Sequence, residues 1–361
     1  MIMIGTQEVT QIKETQANLP SFSIVYETEN LTSVELDNIY RSLSSIAAQE
    51  VSPERANEFL IIDGGYAPEQ VIQELCSMYS WVTVRRIPQI SYYSAKMAGA
   101  QLASGEVVIF LDSDCVYTPN WLKDVLTVFV ENPDINVVAG ETSTRVSNSY
   151  ELAIAMHYFF PRFSKREKPY VSREYFMNAV AFRRSFLIEN PIPTNVSLYR
   201  GNCNLHCAYL RTKAHQILKH PQAQALHEPP TLAFLTWRYL LRGRDRVLKQ
   251  YFQEQIVKYP DQPLPDTPAF TFSQKIQGVF STLSRFRPFR IAKIRTSLQE
   301  DPKRIFSFPL AIPYFLWFEL LYAVGAIATY VKPNLIRDIY YKVSSESDHS
   351  QSSAEVMSTQ D

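Results

Sequence analysis

Asp112-Ser113-Asp114 follows five consecutive apolar residues, Val107-Val108-Ile109-Phe110-Leu111. Such a run suits a strand buried on both faces. Two carboxylates one residue apart in the turn that leaves it can grip a hard divalent cation through oxygen. Mg2+ or Mn2+ is therefore expected at Asp112 and Asp114, where it would neutralise negative charge building on a departing diphosphate. Other carboxylates stand in comparable places. Glu27 and Glu29 follow the apolar segment Phe22–Tyr26, and Asp63 ends Phe59-Leu60-Ile61-Ile62 and opens the turn Asp63-Gly64-Gly65. A second conceivable metal group, His206 between Cys203 and Cys207, lacks the paired spacing of a zinc site and reads as part of a helix.

The elements that would hold these carboxylates alternate strictly. Strands are expected at Phe22–Tyr26, Phe59–Ile62, Trp81–Ile87, Val107–Leu111 and Ile135–Ala139. Helices are expected at Val34–Gln49, capped by Thr32 or Ser33, and at Pro68–Tyr79, Ser91–Ala103 and Pro119–Val130. This order predicts an α/β fold: an open, mostly parallel, doubly wound sheet with helices on both faces, which binds ligands beyond the carboxyl ends of its strands. After residue 150 the alternation stops. Helices are expected over Tyr150–Phe163, Cys203–Leu218 and Leu232–Gln253, with a strand at Phe176–Arg184 and a proline-rich linker at Pro260–Pro268. The division expected is a disordered lead over 1–20, a sheet domain over 21–235, a basic helical extension over 236–343 and a disordered tail over 344–361.

The chain has 361 residues and no formal net charge. The balance hides an asymmetry, with residues 1–160 at −12 and the remainder at +12. An acidic half beside a basic half points to a phosphate or an anionic surface as partner. Nucleic acid fits poorly, because the half that carries the candidate site is acidic. Four cysteines without a framework spacing suit a reducing compartment.

Taken together, SIVYETEN, LIIDGG and YYSAKMAGAQLASGEVVIFLDSDC resemble the family 2 glycosyltransferases, which have the GT-A fold, over residues 20–230. The resemblance implies transfer of a sugar from a nucleotide-diphosphate sugar, a UDP-sugar by the acidic residue on the base, to a glycan or lipid-linked acceptor with inversion. It also implies roles: Glu27 and Glu29 in the nucleotide-contacting loop, Asp63 on the nucleobase, Lys96 beside the diphosphate, Asp112 on the ribose or the metal, Asp114 on the metal, and His227 as a further metal or phosphate contact. One part departs from the pattern. Where the family has a Glu-Asp pair supplying the catalytic base, this chain has Arg200-Gly201-Asn202-Cys203, and the amide of Asn202 is no base. Glu141 and Glu228 are the substitutes considered. A non-catalytic nucleotide-sugar-binding protein on the same fold is therefore the alternative, followed by a metal-dependent nucleotidyltransferase, which the absence of glycine after the first strand disfavours.

Pro309–Val331 holds one charged residue, Glu319, in 23, and a bilayer core needs about 20 apolar residues as helix. With the basic residues of 238–249 and 275–304 it suits the cytoplasmic face of a cell membrane. Spanning and lying in the interface both remain open.

Overall fold

The structure is a computed structural model that describes residues 18–32, 37–157, 160, 162–265, 267–284, 295 and 299–343. The tail expected at 344–361 and most of the lead expected at 1–20 lie outside the described residues, as do Ser33 and most of 285–298. Two units divide the chain. One runs to Val146 and resumes over Phe159–Asn195 and Asn202–Pro230. The other takes Ser147–Tyr158, Val196–Gly201 and the chain from Thr231 onward. The second unit thus draws in two segments that the sequence reading assigned to the sheet domain.

The first unit is built on strands β1 (Phe22–Glu27), β2 (Phe59–Asp63) and β4 (Val107–Asp112), buried at every position. Strands buried on both faces require helices on both faces. Ile24, Tyr26, Ile61, Ile109 and Leu111 enter one core together with α1 (Asp37–Ala47) and α4 (Trp121–Glu131). Their neighbours Val25, Leu60, Ile62, Val108 and Phe110 enter another, with α3 (Tyr92–Leu102) and α7 (Asn202–Thr212). Helices α2 (Glu69–Met78) and α6 (Arg184–Glu189) complete this unit.

With β3 (Val82–Arg86), β5 (Cys115–Tyr117), β6 (Val137–Thr144), β7 (Tyr170–Ser172), β8 (Ala179–Arg183) and β9 (Ile217–His227), the sheet order is β3-β2-β1-β4-β8-β6-β9-β5, and β7 joins β9. Strands β3, β2, β1 and β4 are parallel. Strand β8 then pairs antiparallel with both β4 and β6, and β6 runs parallel to β9. The α/β class is as expected, with a sheet more mixed than the strict alternation suggested. Glu27 lies opposite Asp112 in the β1–β4 register, so the carboxyl ends of β1, β2 and β4 finish side by side.

Two elements differ from expectation. The helix expected over Cys203–Leu218 stops at Thr212, where the chain turns through Ala214 at φ 58° and enters β9. Side chains of β9 alternate between buried and half-buried positions, a period-2 pattern concealed by polar residues and Pro221 at its buried positions and by the register shift at Gly140/Glu141 of β6. Strand β5 has three residues, too few for any periodicity.

The second unit holds α5 (Ser149–His157), α8 (Leu232–Lys258), α9 (Phe272–Ser284) and α10 (Arg304–Val331). Helix α5 is shorter than the expected Tyr150–Phe163. Glycine permits the close approach of α8 and α10. A methyl group at Gly325 would lie 1.9 Å from the Leu240 carbonyl oxygen, and one at Gly243 would lie 2.1 Å from that of Tyr322. Arg244, buried, donates to the carbonyls of Ser197 (2.6 Å) and Pro333 (2.8 Å) and pairs with Asp245 at 2.9 Å. Asp245 in turn accepts from the amides of Tyr199 and Arg200.

Alanine at Gly325 gains roughly 1 kcal/mol of helix propensity but forces backbone against backbone, an overpacking cost of about 1–3 kcal/mol or more. Gly325→Ala is expected to lower the thermal midpoint measured by circular dichroism, and Gly243→Ala likewise. A midpoint at or above the wild-type value for both would refute the close crossing.

Candidate active site

The carboxyl edge of the parallel strands collects the acidic residues singled out in the sequence, each with its own means of neutralisation. Asp112 ends β4 and is buried. Its Oδ1 lies 2.6 Å from Lys96 Nζ, and its Oδ2 accepts from the Tyr92 hydroxyl at 2.7 Å and the Asn30 amide at 3.0 Å. Lys96 and Tyr92 sit one turn apart on α3, whose small residues let it lie close against β1. The Lys96 ammonium is fully buried and donates also to the Leu111 carbonyl. The sequence reading expected Lys96 beside a diphosphate; here its ammonium is committed to Asp112, because a buried carboxylate without a counter-charge is costly. Burial, with the charges of Asp112 and Glu27, pushes the Tyr92 phenol well above its ordinary range, so it remains a donor.

Asp114 is served by a different partner. Strand β5 pairs antiparallel with β9, placing Cys115 opposite His227. Asp114 Oδ2 then lies 3.1 Å from His227 Nε2. His227 Nδ1 is 2.6 Å from the Glu228 carbonyl, an acceptor only, so Nδ1 carries the proton there. The Glu228 amide donates to the Asp114 carbonyl at 2.8 Å. Burial opposes ionisation of both side chains, but their mutual attraction and hydrogen bond prevail: Asp114 is held below the usual carboxylate range and His227 above the usual imidazole range. Beside them Cys115 Sγ lies 3.5 Å from Asp114 Oδ1 and accepts from Asn178 Nδ2 at 3.3 Å, while Asn178 Oδ1 accepts from Thr142.

Asp63, at the end of β2, accepts through Oδ1 from the Thr28 hydroxyl (2.7 Å) and the Gly65 amide (3.1 Å), with Arg86 Nε 3.9 Å from Oδ2. Gly65 adopts φ 89°, the left-handed conformation that this turn requires. Glu27 Oε2 accepts from the Glu29 amide at 2.6 Å, fixing the loop after β1.

The three candidates for the missing base fare differently. Glu228, buried next to His227, is held by Arg41 at 2.6 Å and Arg145 at 3.3 Å. Glu141 accepts from the Tyr170 hydroxyl and the Ser164 amide. Asn202 opens α7 and donates to the Pro193 carbonyl. Glu228 therefore shares the Asp114–His227 cluster, whereas the contacts of Glu141 and Asn202 lie with other segments. Both ring nitrogens of His206 are engaged, Nδ1 with the Tyr175 hydroxyl at 2.6 Å and Nε2 with the Asn190 carbonyl at 2.9 Å. Burial pushes its pKa down to about 4.

Sequence reasoning missed Tyr92, Asn30, Thr28, Arg41 and Arg145. The first three lay inside the strings that carried the resemblance, but nothing in their spacing named their partners. The two arginines come from separate elements, and only the return of β9 brings Glu228 to them.

Among the described residues no three His, Cys, Asp or Glu side chains converge on one point. The Asp114–His227 pair nevertheless fits a divalent cation. With Nδ1 protonated, a neutral imidazole turns a lone pair on Nε2 toward a carboxylate, and two acceptors 3.1 Å apart need a cation or a proton between them. Nearby, the Ser113 hydroxyl is buried without a hydrogen-bond partner. Two protein ligands leave positions open for substrate oxygens, the usual arrangement for a cation that works on phosphates.

Known proteins bear on this arrangement. The profile of the glycosyl transferase family 2 matches residues 32–189. N-acetylgalactosaminyltransferase 6 of Drosophila melanogaster is 33% identical over 119 residues, which are 32% of this chain and 17% of that one. This chain spans about a fifth of the length of the fly relatives it matches. Two solved structures share the fold. GalNAc-T7 with UDP, GalNAc and Mn2+ superposes with a TM-score of 0.50 at 17% identity, over 69% of this chain and 52% of the other. The mannosyltransferase PcManGT from Pyrobaculum calidifontis, in complex with GDP-Man and Mn2+, gives 0.52 at 14% identity over 91% and 94%. The fold is that of the GT-A glycosyltransferases, and over residues 32–189 the chain is similar to glycosyl transferase family 2.

Proposed function

We propose that this chain transfers a sugar from a nucleoside-diphosphate sugar, a UDP-sugar, to a hydroxyl of a glycan or lipid-linked acceptor with inversion, at the cytoplasmic face of a membrane. The observation that carries this reading is the facing pair Asp114 and His227 at the carboxyl edge of the sheet. Mn2+ or Mg2+ held there would offset the charge gathering on the departing diphosphate. The chain's own residues do the rest. The Glu228 carbonyl keeps His227 in the tautomer that presents Nε2. Asp63, steadied by Thr28 and Gly65, accepts a hydrogen bond from the nucleobase. Lys96, Tyr92 and Asn30 hold the Asp112 carboxylate rigid, so that its oxygens meet the ribose without reorganising. Glu228 is the carboxylate best placed to take the acceptor proton, which requires Arg41 and Arg145 to release it. That double clamp, with an amide at Asn202, favours a second reading in which the protein binds the donor without turnover.

A panel of UDP- and GDP-sugars, with and without Mn2+, separates these readings by thermal shift and by release of nucleoside diphosphate. Ligand at 100 times its Kd stabilises by about 2.7 kcal/mol, a rise of several degrees for a domain of this size. The expected result is a shift for UDP-sugars that needs both Mn2+ and Asp114, is lost in Asp114→Ala, and comes with turnover. A metal-dependent shift without turnover supports the binding module. A shift that ignores both metal and Asp114 ends the proposal.

Proton linkage gives an independent check. His227, raised by its partner, contributes stability that is complete below its ordinary 6.5 and fades as pH climbs through its folded value. Asp114, lowered, contributes above its ordinary 3.8 and loses this as pH falls through its folded value. Without metal, the stability difference between wild type and His227→Gln should be largest between these two values and shrink at alkaline pH. Metal must displace the His227 proton, so the Mn2+-dependent shift should grow from pH 6 to 8. A difference that stays flat over that range would show that the pair does not titrate together.

A further inference from the structure

Helix α10 is the one helix among the described residues long and apolar enough to cross a membrane, yet its two faces are unlike. Its inner face packs on α8 through Gly325 and Gly243. Its one acidic residue, Glu319, is buried and meets His157 of α5 at 2.9 Å, within a ring of aromatic side chains that includes Tyr239, Phe315 and Phe318. The outer face is apolar throughout. Phe306 is 81% exposed, Leu310 68%, Trp317 45%, Leu320 48%, Val324 45% and Val331 66%. Between Lys303 and Lys332, both exposed, every exposed side chain is hydrocarbon, aromatic or proline. At 1.5 Å per residue this stripe runs for roughly 38 Å, far more contiguous apolar surface than a water-facing helix carries.

Helix α8 decides how a bilayer could receive it. Helix α8 itself exposes Arg246, Gln250, Glu254 and Lys258. A transmembrane α10 would pull these charges into hydrocarbon, at about 2.5–3.5 kcal/mol each even on lenient scales. With α10 lying flat, α8 stays on the water side, and the lysines at both ends of the stripe reach the headgroups with their stems along the acyl boundary. Residues 231–361 carry 17 Lys and Arg against 12 Asp and Glu, a net +5 that selects anionic lipid. Helix α9 packs Gly278 against the Tyr330 ring and adds a stripe of its own at i, i+4 and i+8, with Phe272 78%, Ile276 44% and Phe280 69% exposed.

We infer that α10 is a monotopic seat: it lies in the plane of an anionic bilayer surface with the Phe306–Val331 face in the acyl boundary and α8 in water, and it does not cross. This rests on the membrane placement proposed above and names the face responsible. The test uses the full chain in flotation with vesicles of phosphatidylcholine alone or with 30% phosphatidylglycerol. Wild type should float with the anionic vesicles and be released by alkaline carbonate or high salt. The triple variant Leu310→Gln, Leu320→Gln, Val324→Gln changes only exposed positions. It should keep its thermal midpoint and its donor-induced shift while losing flotation on the order of a hundredfold, a partition change of about 2.7 kcal/mol. Lys303→Gln with Lys332→Gln should weaken only the preference for anionic vesicles. Flotation unchanged in the triple variant overturns the face assignment. Retention through carbonate, with protease protection of one end of α10, overturns the flat orientation. No flotation of wild type, with the donor shift intact, removes the membrane reading and leaves the glycosyltransferase reading standing. A dimer that dissociates in the triple variant, without flotation, assigns the face to a second copy of this chain.

Discussion

Five carboxylates, Glu27, Asp63, Asp112, Asp114 and Glu228, are buried at one edge of one sheet. Burying each is costly unless the fold supplies a counter-charge or donors. The fold supplies them individually: an ammonium to Asp112, an imidazole to Asp114, two guanidiniums to Glu228, a hydroxyl and an amide to Asp63, and a backbone amide to Glu27. The rest of the first unit can be understood as the scaffold for this allotment. Helix α3 is held against β1 so that Tyr92 and Lys96 reach Asp112, and β9 returns beside β5 so that His227 reaches Asp114. Removing a partner from such a pair exposes the remaining charge to the full cost of burial, whereas the pair itself adds modestly to stability. The edge is therefore organised for charge at a defined place more than for strength.

That allotment separates two aspartates which the sequence shows as one motif. Asp112 and Asp114 are a residue apart, and both can ligate a cation in principle. The difference arises in the strand pairing. Asp112 is the last residue of β4, within reach of α3, and its two oxygens are already engaged by three donors. Asp114 lies beyond the strand and faces a single imidazole. Local sequence cannot distinguish them, because the distinction is made by residues 16 and 20 positions upstream of Asp112 in one case and 113 positions downstream of Asp114 in the other.

The same reasoning explains which features were legible. Parallel strands buried on both faces announce themselves as apolar runs, so β1, β2 and β4 and the acidic residues after them could be placed from sequence. Strand β9 could not. Its buried positions include Lys219, Pro221 and His227, so burial alternates where hydrophobicity does not, and its pairing with β6 shifts register at Gly140/Glu141. With Ile217 and Leu218 placed in a helix and the rest of β9 in no element, His227 had no strand to bring it to Asp114 and rested on the resemblance alone. Arg41 and Arg145 were invisible for a related reason: a charge on a helix or after a strand looks solvated until the segment that opposes it is known.

Glu319 shows how a residue read as an objection can become an explanation. In sequence, a carboxylate in the middle of an apolar helix weakens any membrane role. In the structure it faces inward to His157, inside an aromatic cluster, so the face away from α8 carries no charge at all. The glycines at 243 and 325 make this possible, because they bring α10 close enough to α8 for its polar residue to be absorbed by the unit. A helix with one face committed to protein and the other wholly apolar is what the proposed membrane seat requires. On that proposal Glu319 belongs to the protein side, and Phe306, Leu310 and Trp317 to the lipid side.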